Sequence, residues 1–526
     1  MRYPLLRAGL EQSSSAQASS STRLRQHGGA GALLLPPFQR CLTVARRDPQ
    51  AGSRALRLNS SRSCRRSRTN SRISSRGISS GAVRAESAPE FSSTEKDSKA
   101  GNPRICVLGG GFGGLYTALR LDGLTWPDGR SPQVTLVDQS DKFVFKPLLY
   151  ELLNGGVQPW EVAPRFTELL APTKVNFIQA KVESIDASAE TTEDDQAGSI
   201  TLANGHVVEY DWLILALGAV TRTDVVPGAM EHAIPFATLE DALKVDQQLR
   251  LLESAALRST PQIPIQVSIV GGGVAGVELA ATVAERLGPR GIVQLIVSGD
   301  TVMTESPEGQ REEALKVLKS RGVNLVCGER VKELHETSSY SDDAEPRKLV
   351  EIELEDSSVV TSDLVLWTAG QSPVVPTTVR AGEVGTYGLP LADKGEAVTD
   401  QFLRVVRYPN VFALGDAACV EDADGVPLPA TAQVAFQAAD YAAWNVWASV
   451  NKRPLLPFRY QHLGDMMALG AADAAVALPV GDITLSGPSA TLLRRAAYLY
   501  RQPTPQHAAK VAFSWLTRPL ADVLSS

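Results

Sequence analysis

An α/β fold of two doubly wound parallel-sheet units, one inserted in the other and followed by amphipathic helices, is predicted by three observations in this 526-residue chain. RICVLGGGFGGLYTALR at 104–120 runs from a short apolar stretch through a glycine cluster into helical spacing. VSIVGGGVAGVELAATV at 267–283 repeats the same order. A later apolar run, NVFALGDAA at 410–418, ends in Gly-Asp and is followed by a small-residue helix pattern.

Each element is justified in turn. PQVTLVD at 132–138 supplies the second strand of a βαβ unit, and ITLANGHVVEYDWLILALGA at 200–219 reads as a hairpin and then a buried strand. From about 240 the pattern restarts: strand, glycine turn, helix, and the strand GIVQLIVSGD. The polar stretch 338–348 reads as a solvated hairpin loop, and DLVLWTAGQSP closes the unit with a buried strand. The expected organisation is a leader at 1–84, a linker at 85–102, a first dinucleotide-binding unit at 103–238 resuming at 383–455, an inserted unit at 239–382, and a membrane-association region at 456–526. The two glycine-bearing units are Rossmann-like dinucleotide-binding domains.

Gly109, Gly111 and Gly114 fit the GxGxxG spacing: the first permits a tight turn, the second lets a pyrophosphate approach, and the third brings helix onto strand. The free amides and dipole of the helix start then favour the phosphates. Asp138, closing VTLVD, stands where a carboxylate accepts ribose hydroxyls. Gly271, Gly273 and Gly276 repeat the spacing, but the following strand ends Val297-Ser298-Gly299 without an acid. A carboxylate there would repel a 2′-phosphate, so NADPH is expected to be accepted, with Ser298 a candidate hydrogen-bond donor. Asp300 could return an acid to the site if the turn shifts. After two such folds, Asp416 behind Gly415 is placed to bind a ribityl hydroxyl, while Gly218 and Gly370 end the LALGA and LWTAG strands.

Composition sets bounds on the rest. Residues 1–84 hold sixteen arginines, no lysine, and only Glu11 and Asp48 as acids, the make-up of an organelle transit peptide. A chloroplast destination is favoured by the serine density and the stretch AVRAES at 82–87, with the mitochondrion left open. The formal charge of −6 over the whole chain therefore hides an acidic remainder, and no nucleic-acid partner is expected. Cys106, Cys327 and Cys419 are scattered singly beyond the leader, which supports no disulfide framework, iron–sulfur centre or metal site. No apolar run reaches the roughly 18 residues that a membrane span needs. The C-terminal segments TLLRRAAYLYR and HAAKVAFSWLTRPLADVL mix aromatics with cations, as interfacial helices do.

These elements, with KFVFKPLLYELLNGG at 142–156, the GVE after the second glycine cluster, and AQVAFQ at 432–437, resemble the type II (alternative, non-pumping) NAD(P)H:quinone oxidoreductases, most nearly their plastid-targeted C-type branch. The resemblance covers about 103–525. It implies an FAD/NAD(P)-binding flavoprotein fold with bound FAD, NADPH or NADH as reductant and a prenylated quinone as acceptor. It also implies that Gln433 and Gln437, one turn apart on a helix face, border the flavin and the quinone channel. Glu278 resembles the family's carboxylate near nicotinamide and quinone, and Lys146 lies in its active-site loop.

A homodimer docked on a membrane or lipid-droplet surface, at the thylakoid or a plastoglobule, is the expected assembly. Deleting 488–526 is then expected to abolish membrane association while sparing reduction of a soluble quinone. A soluble flavin reductase of another acceptor and a flavin-binding protein without turnover are the competing readings.

Overall fold

The computed structural model describes residues 102–187, 198–258, 263–341, 344–378, 388–422, 425–479 and 483–525. The leader, and the linker up to residue 101, lie outside the described residues.

Two five-stranded parallel sheets carry the architecture, and each has at its centre the strand that runs into a glycine cluster. The first sheet has the order Val411–Ala413, Trp212–Leu215, Arg104–Leu108, Gln133–Asp138, Asn176–Gln179. Ile105, Cys106, Val107 and Leu108 are all buried, as expected of a parallel strand covered on both faces. The second sheet has the order Asn324–Cys327, Gly291–Val297, Ile265–Val270, Leu364–Trp367, Ala233–Pro235. Strand Val411–Ala413 returns to the first sheet after the second is complete, so one unit is inserted in the other.

The two chain crossings run side by side, because Ala219–Thr221 pairs antiparallel with Gln371–Pro373. The amide of Arg222 donates to the Gly370 carbonyl at 3.2 Å, and that of Val374 donates to Gly218 at 2.8 Å. Gly218 and Gly370 thus sit in a double strap between the units. Two local expectations change. Strand Ala233–Pro235 already belongs to the second sheet, and the segment read as a loop at 338–348 is mostly ladder, with strands Val331–Ser341 and Ala344–Leu354. Polar, acid-rich composition there imitated a turn.

Five helices position the site. Helix α1 (Phe112–Gly123) and helix α2 (Val274–Leu287) follow the two glycine clusters. Helix α3 (Ala432–Val450) buries Ala438, Ala439, Ala442 and Ala443, which permits close packing. A strand trio, Asp465–Ala468, Ala474–Ala477 and Thr484–Ser486, forms a small antiparallel sheet that the sequence reading did not anticipate. Helices α4 (Gly487–Tyr500) and α5 (Pro505–Ser525) follow it.

The C-terminal helices are amphipathic, and their inner face is an integral part of the body. Arg494 is fully buried and pairs with Glu151, which Arg495 also reaches at 2.8 Å. Arg518 pairs with buried Glu161 at 2.8 Å, and Val511 is fully buried. The Tyr498 ring packs on Phe145, itself edge-on to Phe112 at the start of α1. Leu492, Tyr500, Phe513 and Leu516 face outward, each at least 70% exposed.

The expectation that 488–526 can be removed harmlessly is therefore revised, since deletion would strip Glu151 and Glu161 of their cations and open to water the apolar surface on which Tyr498 and Val511 pack. Breaking such a buried pair costs about 3–5 kcal/mol. Arg494→Ala is expected to lose that much stability in denaturant unfolding, and the deletion to fail to fold. A deletion variant with wild-type unfolding would show that the seat is dispensable.

Candidate functional site

The first cradle is made by strand Arg104–Leu108 and helix α1. Gly109 has φ +95°, and a Cβ there would strike the Ala216 carbonyl; a Cβ on Gly114 would strike the Gly109 carbonyl. These contacts draw the helix start against the strand end. Gly111, the residue before α1, makes no side-chain cap, and a Cβ added to it would meet no protein atom within 4 Å. The first amides of α1 thus open onto unfilled space. Asp138 closes the cradle: its carboxylate accepts the Gly110 amide at 2.6 Å and the Ser140 amide at 2.7 Å. Burial raises its pKa while those amides oppose the rise.

The second cradle repeats the geometry. Gly271 has φ +121°, a Cβ on Gly276 would meet the Gly271 carbonyl, and Gly273 starts α2 uncapped beside open space. By contrast, α3 is capped by the Thr431 hydroxyl, which accepts the Val434 amide. Leu108 aligns with Val137 and Val270 aligns with Ile296, so Asp138 and Val297 occupy equivalent positions one residue further on. Val297 packs its side chain against Gly272 where Asp138 bonds to Gly110. Ser298 and Asp300 are exposed beyond it.

Gly415 and Asp416 form a turn after strand Val411–Ala413, with Gly415 set against Ala435 of α3. Burial raises the Asp416 pKa, and the charge of Lys146 acts against that rise. Lys146 thereby joins the FKPLLY loop electrostatically to the Gly-Asp turn.

Glu278, Gln433 and Gln437 meet through one stretch of chain that the sequence reading missed, residues 460–468. Gln437 exchanges hydrogen bonds with the Gln461 backbone at 2.9 and 3.0 Å. Gln433 donates to the Gly464 carbonyl at 3.0 Å and accepts the Leu463 amide at 2.7 Å and the Tyr460 hydroxyl at 2.9 Å. Glu278 accepts the Ala468 amide at 2.7 Å. The two glutamine amides are thus committed to holding a wall.

Glu278 lies beyond the first turn of α2, buried, and is fixed by Ala468 more than by the helix dipole. Burial pushes its pKa up to about 8; the Ala468 amide, Arg494 and Tyr150 oppose this, and Glu151 adds to it. Tyr150 stacks on Phe236 at 5.2 Å. Tyr150, Glu151, Arg494 and Tyr498 are the neighbours that sequence reasoning did not name. Their one legible signal was a Glu inside the apolar run PLLYELL. Among the described residues Glu333, His335 and Glu353 also lie close enough to hold a cation, but Glu353 is already paired with Lys332 on this exposed hairpin.

The two cradles and the Gly415–Asp416 turn at the end of a first-sheet strand define a dinucleotide-dependent oxidoreductase fold. A family model described as pyridine nucleotide-disulphide oxidoreductase matches residues 103–439, and the chain belongs to that family. More particularly, it is 46% identical over 435 residues to the alternative NAD(P)H-ubiquinone oxidoreductase C1, chloroplastic/mitochondrial, of Arabidopsis thaliana, covering 80% of this chain and 82% of that one. It is 45% identical over 426 residues to the demethylphylloquinone reductase NdbB of Synechocystis, covering 81% and 98%. The solved structure of NDH2 from Plasmodium falciparum in complex with NADH shares the fold at 17% identity and a TM-score of 0.62, over 79% of this chain and 98% of that one. The resemblance to type II NAD(P)H:quinone oxidoreductases is thereby borne out.

The raised pKa of Glu278 has a consequence for stability. The native state keeps this proton until about pH 8, whereas the unfolded chain releases it near 4.5, so stability is lost as pH rises between those values. Glu278→Gln, which cannot ionise, is expected to gain stability over the parent across that window, at up to about 1.4 kcal/mol per pH unit. Parallel unfolding curves from pH 5 to pH 9 check this; a constant difference would mean that Glu278 is ionised throughout.

Proposed function

We infer that the chain is an FAD-dependent, non-pumping oxidoreductase that carries electrons from NAD(P)H to a membrane quinone. The observation that carries this reading is the pair of uncapped helix starts with open second glycines, each fitted to one dinucleotide. Identity of 45–46% to two quinone-reducing relatives supports the acceptor.

The first cradle would hold FAD, with its pyrophosphate on the amides of α1, a ribose on Asp138 and the ribityl chain at Asp416. The second would hold NAD(P)H on the amides of α2 behind Gly271, Gly273 and Gly276. Held there, FAD would supply two-electron redox chemistry between NAD(P)H and a quinone. The protein's own work is to bind, orient and manage protons. Gln433 and Gln437 fix the 460–468 wall in place, so that they shape the quinone side by holding backbone. Glu278 retains a proton at neutral pH and is placed to release it as the quinone is reduced.

For the particular acceptor we propose a plastid naphthoquinone or plastoquinone, on the strength of the demethylphylloquinone reductase relative. The thylakoid surface or a plastoglobule is the proposed site of action. Its support is the outward apolar face of α4 and α5, together with an open hollow lined by Trp160, Lys510 and Phe513, a mixture of aromatics and cation suited to lipid-headgroup depth. No helix among the described residues is long and apolar enough to cross a membrane. A homodimer is proposed on the resemblance alone.

Steady-state turnover of residues 85–526 with NADH and NADPH against plastoquinone and naphthoquinone acceptors tests the function. Quinone-dependent oxidation of NAD(P)H is expected; flavin bleaching without quinone turnover would contradict it. Val297→Asp recreates the first cradle's acid in the second. It is expected to favour NADH over NADPH by about tenfold, the effect of roughly 1.4 kcal/mol. An unchanged ratio would place the specificity site elsewhere.

A further inference from the structure

Helix α4 brings a charge from the end of the chain into the pocket of Glu278. Arg494 is fully buried with its Nη2 on Glu151, and Arg495 takes the other oxygen of that carboxylate. Nε and Nη1 of Arg494 meet no acceptor among the described residues. The guanidinium is held by Glu151 and by the Tyr498 ring, 5.2 Å from its carbon, so its charge is fixed deep in the body beside the Glu278 pocket.

The groups facing Glu278 come from three elements. The 146–152 turn gives Tyr150 and Glu151, α4 gives Arg494 and Tyr498, and strand Asp465–Ala468 gives the Ala468 amide. Two buried carboxyl groups thus share one pocket, and the charge of Glu151 disfavours ionisation of Glu278. The cation from α4 offsets that repulsion.

We propose that Arg494 is a positioning residue for quinone reduction: by neutralising Glu151 it lets Glu278 release and regain a proton, so the seating of α4 governs proton delivery. The consequence for catalysis rests on the quinone-reductase reading; the electrostatic claim can be measured without it. A quinone takes two electrons, which originate in NAD(P)H, and two protons. Glu278 gives one proton, becomes a carboxylate, and is reprotonated from solvent, while the second proton is the one that leaves NAD(P)H with its hydride, so that NAD(P)H, one solvent proton and quinone yield NAD(P)+ and quinol. The outer face of α4 carries Leu492 and Tyr500, so the helix proposed above to meet a lipid surface also seats the cation.

The test is a pH titration of the full chain by infrared difference spectroscopy, following the carboxylic C=O band that Glu278→Gln removes. Arg494→Gln is expected to move the midpoint of that band up by about one pH unit or more. Glu151→Gln, which leaves Arg494 facing Glu278 alone, is expected to move it down. The double variant Glu151→Gln/Arg494→Gln is expected to return it toward the parent, and Arg494→Lys to preserve it.

The alkaline limb of the turnover profile should follow the same order. An unmoved midpoint in Arg494→Gln, or a double variant displaced as far as that single one, would overturn the proposal. Should Arg494→Gln not fold, Glu151→Gln decides by the sign of its displacement. A displaced band in a protein without quinone turnover would sink the functional reading and leave the electrostatic one standing.

Discussion

The close seating of a helix start on a strand end, set where Gly114 lies over the Gly109 carbonyl and again where Gly276 lies over Gly271, is the constraint on which the molecule depends. Any side chain at the third glycine would push the helix away from its sheet. With the helix drawn in, its first amides converge on the space that the second glycine leaves clear. A pyrophosphate placed there would meet unsatisfied donors at both places. Without that approach the two sheets would still be packed α/β layers, but neither would gather open backbone amides at its strand end.

The rest of the architecture serves to bring the two cradles into one body. The paired crossings at 219–221 and 371–373 tie insertion to host at two points of the chain, which restricts relative motion more than a single linker would. On the other side, residues 460–468 are held by α3 through Gln433 and Gln437 and by α2 through Glu278. One short stretch therefore reports on both units. The C-terminal helices complete the arrangement with buried ion pairs, whose value lies in fixing position more than in net stability.

What the sequence made legible was local. Glycine spacing, strand alternation and the acid closing VTLVD all lie within a few residues of one another, so the two cradles and the exchange of Asp138 for Val297 could be read directly. The return of Val411–Ala413 to the first sheet was also visible, because Gly-Asp marked the strand end. The 460–468 wall could not be read, since Glu278 and Ala468 are 190 residues apart and a backbone amide leaves no mark in composition. The seat of α4 was hidden for a different reason. Arginine in an amphipathic helix reads as a cation held toward solvent, and only the tertiary fold shows Arg494 turned inward onto Glu151.

The most direct test of the central claim uses the second glycine of each cradle, where a side chain would fill ligand space without touching protein. Gly111→Val and Gly273→Val both keep a backbone that any residue adopts, with φ of −72° and −73°. Flavin content and reduction by NADPH, measured on folded protein, should separate them. Gly111→Val is predicted to be purified without flavin, and Gly273→Val to keep its flavin but lose reduction by NADPH. Full flavin in Gly111→Val, or loss of flavin in both, would contradict two independent cradles.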